Sequence, residues 1–319
     1  MKKSLIVLAW LMVVAFVFGN TGKFSITTDF AFYPKSDAVV ADSGKTHFAP
    51  LTGFYSGLEA RVVGKYSYVI PTPFGDNPLV KGNNLNLACA MEITPVSVAP
   101  TLSLSFTPIA FLNFTASAKV GTGWEFIGIQ GMGTFDSNET GFVSSKAFSH
   151  FFYEYKFSSL FQFDLAAVMP GDWNHVVTLA TYDVIYSGLT GVREKPYIWQ
   201  SSGDKFTGLS YYSNIIVGYQ MPLILQTVGV QFEFQGNYAE LEYDAAFADW
   251  NPTFMKVSIN PVCILKFNEK HALTIQFGFS SRRGYSSAQL ENEKTQFSLH
   301  NNSREWYFNR VALSYAVNL

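Results

Sequence analysis

Along most of the chain apolar and polar residues alternate one for one. Successive side chains of a strand point to opposite faces, so strict alternation predicts strands with one greasy and one wetter face. The closing segment, Trp306–Leu319 (WYFNRVALSYAVNL), shows it well. Leu319, Val317, Tyr315, Leu313 and Val311 share one parity, which continues to Asn309 and Tyr307. Asn318, Ala316, Ser314, Ala312 and Arg310 share the other, which continues to Phe308 and Trp306.

The pattern recurs from the N-terminal side. Phe24, Ile26, Phe30 and Phe32 alternate with Ser25, Thr27 and Asp29 up to Pro34. Leu58, Ala60, Val62 and Tyr66 alternate with Glu59, Arg61 and Lys65 in a strand expected over Phe54–Tyr68. Leu85–Ile93, Val96–Phe106 and Leu112–Val120 follow, divided by Thr94-Pro95 and Thr107-Pro108. Consecutive strands joined by tight turns make an antiparallel meander. Phe151–Leu165, Tyr211–Met221, Val228–Tyr238, Met255–Phe267 and Leu273–Arg282 repeat the alternation.

Elsewhere the pattern is less decisive. His175–Tyr186 carries apolar residues on both parities, and the Gly-rich stretch 121–150 is expected as a long loop or one more hairpin. Residues 187–208, 239–252 and 283–304 are expected as loops. The reading is about twelve strands, within a range of roughly ten to fourteen.

Composition changes the picture by removing most soluble options. Apolar residues make up 48% of the chain and charged residues 14%, against about 25% charged in a typical soluble domain. Beyond the N-terminal run there is no apolar stretch of the ~20 residues a membrane helix needs. Showing alternate residues of many strands to lipid accounts for this. The polar parity is mostly Asn, Gln, Ser and Thr with scattered charges of both signs, which suits an aqueous lumen.

Lys2 and Lys3 precede an apolar run from Leu5 to Phe18 and then Gly19. A basic start, a short apolar stretch and a small residue at the exit form a secretory signal. Residues 1–19 are therefore expected as a signal peptide cut after Gly19, and 20–319 as one barrel domain. Losing Lys2 and Lys3 takes the formal charge from −2 to −4, which argues against nucleic-acid binding. Cys89 and Cys263 fall on the greasy parity and read as small apolar residues rather than a disulfide.

A final strand of alternating hydrophobics with an apolar last residue resembles the closing strand of bacterial outer-membrane β-barrel proteins. In that group an aromatic, most often Phe, stands last; Leu319 departs from it. The stretch SFTPIAFLNFTASAKVGTGW is similar in style to outer-membrane proteins of spirochaetes. The resemblance implies an all-β, antiparallel up-and-down transmembrane β-barrel, porin-like, in the outer membrane after export. It also implies contact with outer-membrane lipid and delivery to the barrel-assembly machinery through Trp306–Leu319.

Candidate chemistry is sparse. His47, His150, His175, His271 and His300 lack the spacing of metal pairs and are expected as solvated groups in or beside loops. No Ser-centred catalytic motif is present, and GTGWEFIGIQGMG lacks the Lys-Ser/Thr of a phosphate loop. Neither an enzyme nor a cofactor is expected.

What remains is the polar parity. The candidate lumen-lining residues are Glu59, Arg61, Lys65, Glu92, Lys119, Glu154, Lys156, Glu233, Lys256, Arg282 and Arg310. Such a wall suits passive diffusion of small hydrophilic solutes. The alternative is a closed barrel whose surface loops act as a binding, adhesion or structural element.

Overall fold

The computed structural model describes residues 22–40, 44–72, 74–136, 141–238, 254–285 and 300–319. The expected signal peptide, 1–19, lies outside these residues, as do the expected loop 239–252 and residues 286–299 of another.

The chain opens with β1 (Gly22–Lys35), the short β2 (Thr46–Phe48), β3 (Gly53–Pro71), β4 (Asn84–Thr94), β5 (Ser97–Ile109) and β6 (Leu112–Gly123). Four short strands follow, β7 (Glu125–Phe126), β8 (Ile129–Gln130), β9 (Met132–Asp136) and β10 (Gly141–Ser144). Next come β11 (Phe152–Asp164), β12 (His175–Leu189) and the short β13 (Tyr197–Trp199) and β14 (Ser202–Lys205). The last five are β15 (Gly208–Gln220), β16 (Leu225–Asn237), β17 (Lys256–Lys266), β18 (His271–Tyr285) and β19 (His300–Asn318).

Twelve long strands make the wall, each antiparallel to the next: β1, β3, β4, β5, β6, β11, β12, β15, β16, β17, β18, β19. β19 then pairs back onto β1, from Ser25 opposite Asn318 to Phe32 opposite Val311, and the ring closes. The fold is an all-β, antiparallel up-and-down barrel, as the alternation implies. Closure leaves no open edge and satisfies backbone groups strand to strand, the condition for crossing lipid without helices. No helix among the described residues is long and apolar enough to cross a membrane.

The outward parity is the apolar one. Phe30, Leu58, Val62, Leu87, Leu104, Phe157, Val217, Phe277 and Leu313 are all exposed on it. A continuous apolar sleeve of this extent belongs in a bilayer, since a soluble monomer rarely shows such a patch. The barrel is thus a transmembrane barrel of the outer-membrane kind. Cys89 and Cys263 are free thiols.

The two ends differ. At one, the wall strands are joined across 72–83, 110–111, 165–174, 221–224 and 267–270, and both Gly22 and Asn318 lie there. At the other, the connections are 36–52, 95–96, 124–151, 190–207, 238–255 and 286–299. Short turns face the periplasm and long loops the exterior in outer-membrane barrels.

Several expected boundaries move. β1 runs past Pro34 to Lys35, and Thr107-Pro108 lies inside β5, so the chain turns at Ala110-Phe111 instead. Among the described residues, 121–150 give the barrel no extra hairpin; β7 pairs with β8, while β9 and β10 join β13 and β14 in a separate four-stranded sheet. His175–Tyr186 is part of a wall strand, β12, and the loop expected over 283–304 is shortened from both sides by β18 and β19.

One bulge resets a parity. Gly278 faces Arg310 but Phe279 faces Phe308, so Asn309 is an extra residue in β19. Such an insertion flips every side chain beyond it. Phe308 and Trp306 therefore join the outer set, where Phe308 meets Phe279 and Trp306 stacks on Phe48. Tyr307, expected outside, turns inward.

The sleeve makes a sign-specific prediction. Phe157→Arg places a charge on the lipid face midway along β11 and should cost about 2–4 kcal/mol. Ser158→Arg, on the opposite parity, should cost much less, as read from urea unfolding of bilayer-folded protein.

Candidate functional site

Strand register collects the inward polar residues into a belt around the barrel. Asp29 on β1 accepts two hydrogen bonds from Arg61 on β3, from Nε at 2.8 Å and Nη2 at 2.6 Å, and one from Ser314 on β19 at 2.5 Å. Arg61 Nη1 also lies 3.5 Å from Glu92 on β4, and Lys119 Nζ on β6 approaches the same carboxylate at 3.6 Å. Glu154 lies opposite Lys119 in register. Lys156 on β11 reaches Asp183 on β12 at 3.6 Å.

On the far wall Glu233 accepts from Tyr212 and, at 2.6 Å, from Asn260 Nδ2. Arg310 lies within electrostatic range of Tyr33, Glu59 and Glu233, and the Tyr33 hydroxyl donates to Glu59 at 2.7 Å. Gly278 matters here because a Cβ would stand 3.0 Å from Arg310 Cγ, so any larger residue would push that side chain aside. Acids and bases are interspersed around much of the circumference, with Asp183 and Glu233 following one another across Tyr212. Burying charge without a partner is costly, so each base of the belt lies near an acid.

The loop end is partly filled. Trp199 of β13 stacks face to face on Phe152 of β11, with ring centres 4.4 Å apart and planes within 7°. Gly121 supplies the space, since a Cβ there would collide with the indole ring. Trp199, Phe152, Ala99, Met132, Leu189, Val192 and Tyr197 form one buried apolar cluster. Next to it Gln200 donates to Glu92 at 2.5 Å and to Ser97 at 3.1 Å. Leu189 can be apolar on the inward parity because this inserted sheet covers it, whereas the ambiguity of His175–Tyr186 comes from Val177, Leu179 and Ile185 on that same parity.

A second insertion closes the seam. β2 pairs in parallel with Arg304–Trp306 of β19, beyond the point where β1 stops pairing. Glu305, fully buried, accepts from Arg282 at 2.6 Å, from the Val39 backbone at 2.8 Å and shares a 2.9 Å hydrogen bond with His47. The Arg282 guanidinium also rests 4.4 Å over the Tyr307 ring. Nearby, a hydrogen bond from Thr52 holds the exposed Asp37 carboxyl below its ordinary range.

The candidate residues therefore divide into groups. Arg61, Glu92 and Lys119 meet directly, while Glu59 and Arg310 share Tyr33 and Glu233 lies beside Arg310. Arg282 instead ties the loop-end seam. Lys65, opposite Ser25 and Ala90, and Lys256, opposite Gln235, sit on the same parity but outside these contacts. Asp29, Asp183, Glu305, Tyr33, Tyr212 and Gln200 complete the arrangement and were not among the candidates. Asp29 was legible by parity and Asp183 lay in the ambiguous strand, whereas no local pattern marks Gln200.

The histidines need correcting as well. His47 bonds buried Glu305, His175 bonds Asp164 at 2.7 Å, His150 bonds the Thr190 carbonyl at 2.7 Å and His271 bonds Tyr315 at 2.8 Å. His47, His175 and His271 join strands or strand ends and His150 joins two connecting segments, so each is hydrogen-bonded in place while partly exposed. Only the side chain of His300 lies outside the described residues.

Glu305→Ala should leave Arg282 with an uncompensated charge and release the 36–52 connection. Breaking a buried pair typically costs about 3–5 kcal/mol. The expected outcome is a lowered unfolding midpoint together with faster trypsin cleavage at Lys45 in barrels whose strands remain folded.

No family model and no curated protein matches the chain. Among solved structures, an outer membrane channel from Pseudomonas putida F1 is similar at 10% identity, covering 94% of this chain and 97% of its own, with a TM-score of 0.47. The KdgM porin is similar at 10% identity over 92% of this chain and 99% of its own, with a TM-score of 0.37. The outer membrane phospholipase A of Escherichia coli is similar at 9% identity, over 93% and 92%, with a TM-score of 0.30.

Proposed function

We propose that this protein is an outer-membrane channel for passive diffusion of small hydrophilic solutes. One observation carries the reading. Arg61 is bonded to Asp29 and lies against Glu92, yet its side chain remains 49% exposed inside the ring. Open space large enough for water therefore lies beside the charged belt midway through the barrel, and in this reading a solute of similar polarity uses it.

The eleven candidate residues line that path in this reading. Eight-stranded barrels are filled by their own side chains and sixteen-stranded ones leave a wide channel, so a twelve-stranded barrel with an inserted sheet suits a narrow pore. Because charges of both signs line the lumen, the pore should discriminate weakly between anions and cations. The His47–Glu305 and His175–Asp164 pairs join strands near the barrel ends, which fits a channel better than an enzyme. Export by a signal peptide cut after Gly19, and recognition of Trp306–Leu319 by the assembly machinery, complete the proposal.

The second reading, a closed barrel presenting its loops for binding or adhesion, draws on the Gln200–Glu92 bond, which anchors the inserted sheet across the lumen. Single-channel recording of the refolded mature protein in a planar bilayer separates the two. Small stable steps with weak ion selectivity are expected, and Trp199→Ala/Gln200→Ala should enlarge them by loosening the insert. A protein that shifts on heating in gels, and so is folded and inserted, but carries no current would overturn the channel reading.

A further inference from the structure

At the loop end the outer surface over β6, β11 and β12 departs from the rest of the sleeve. Thr122, on the outward parity of β6, accepts a hydrogen bond from the Phe148 backbone at 2.9 Å and donates to the His150 carbonyl at 3.4 Å. Residues 148–150 therefore lie across the outside of the wall. Phe148 is held at φ 64°, in the left-handed region that bulky residues rarely enter. The residue is nonetheless 66% exposed, and its ring centre lies 6.4 Å from that of Phe151. Protein packing does not reward this conformation, because the ring points into open space. An apolar medium outside the barrel would.

Below this pair stands a group of tyrosines. Tyr153 lies 6.3 Å from Tyr155 and 6.2 Å from Tyr186, ring centre to ring centre. Tyrosines collect where hydrocarbon gives way to headgroups, so they mark the interfacial depth. Above it lie cations. Lys146, Arg193 and Lys195 are exposed, and none forms an ion pair with a described residue. The His150 bond to the Thr190 carbonyl joins the 146–150 segment to the one carrying Arg193, and Arg193 lies within electrostatic range of the Tyr153 hydroxyl. Glu194 stands between two of these cations and leaves a positive surplus. At the turn end Lys266 is paired with Glu269 at 2.9 Å, while Lys81 and Lys270 are exposed beside no comparable aromatic column.

We propose that this sector is a docking site for an anionic lipid headgroup of the outer leaflet. The acyl chains would follow the outward column of Phe151, Tyr155, Phe157 and Val120, which continues the lipid-facing surface without a break. The phosphate or carboxylate would sit against Lys146, Arg193 and Lys195, with Phe148 sunk between neighbouring chains. Apolar continuity below and charge complementarity above together select an amphiphile rather than a free anion.

Native mass spectrometry of the intact mature protein, in micelles doped with phosphatidylglycerol or phosphatidylcholine, tests this without reference to conduction. The wild type should retain phosphatidylglycerol in preference to phosphatidylcholine. Lys146→Gln/Arg193→Gln/Lys195→Gln should weaken that retention about fivefold per charge, the ratio corresponding to ~1 kcal/mol for each basic group near an anionic surface. Lys81→Gln/Lys266→Gln/Lys270→Gln, at the turn end, should leave it unchanged. Equal retention by the rim variant, or equal retention of the two lipids by the wild type, would overturn the proposal. Displacement by inorganic phosphate would also overturn it, by showing a free-anion site.

Discussion

Everything in this molecule depends on one ladder, the pairing of β19 with β1. A sheet of eleven ladders without it would expose two long edges, and in hydrocarbon each unpaired backbone group costs several kcal/mol. With it, the backbone is satisfied internally and the side chains are free to sort by parity alone. Outward positions need only be apolar, which explains why Phe, Leu, Val and Tyr interchange freely there. Inward positions must instead answer to one another.

The inward face shows that constraint. The charges of Asp29, Arg61, Glu92 and Lys119 come from β1, β3, β4 and β6, with β5 between the last two contributing none, and Arg310 bridges from the last strand towards Tyr33 on the first and Glu233 on β16. A small barrel offers limited water to screen charge, so each group finds its opposite laterally. The belt is thus both the polar wall of the lumen and the element that fixes how its long side chains lie. The inserted sheet uses the same resource, since Gln200 is anchored on Glu92.

Most of the wall was legible because a period of two is a direct image of a two-faced sheet, as in Leu85–Ile93 against Asn84–Glu92. Where legibility failed, the cause was specific. Asn309 inserts one residue and inverts the faces of Tyr307 and Trp306, and no composition rule marks a bulge at an asparagine. His175–Tyr186 lost its alternation because Val177, Leu179 and Ile185 are apolar on the inward parity, opposite Asp164, Gln162 and Lys156. Gln200 and His47 act across separations of a hundred residues and more, to Glu92 and Glu305, which a local pattern cannot carry. The glycines at 121 and 131 looked like loop composition; they mark where the inserted segment comes too close to the wall for a Cβ.

The polar contacts of the seam have a consequence for the order of assembly. Asp29 with Ser314, Arg310 with Tyr33, and Glu305 with Val39 and His47 all join the two ends of the chain. None of these pairs can form while the sheet is still open, however complete its other ladders are. An unclosed sheet would therefore leave Asp29, Arg310 and Glu305 short of these hydrogen bonds, and they are gained only when first and last strands meet. Closure is then a single cooperative event, and reopening would have to break the ladder and these contacts together, so the youngest joint in the barrel is also among its most strongly fastened.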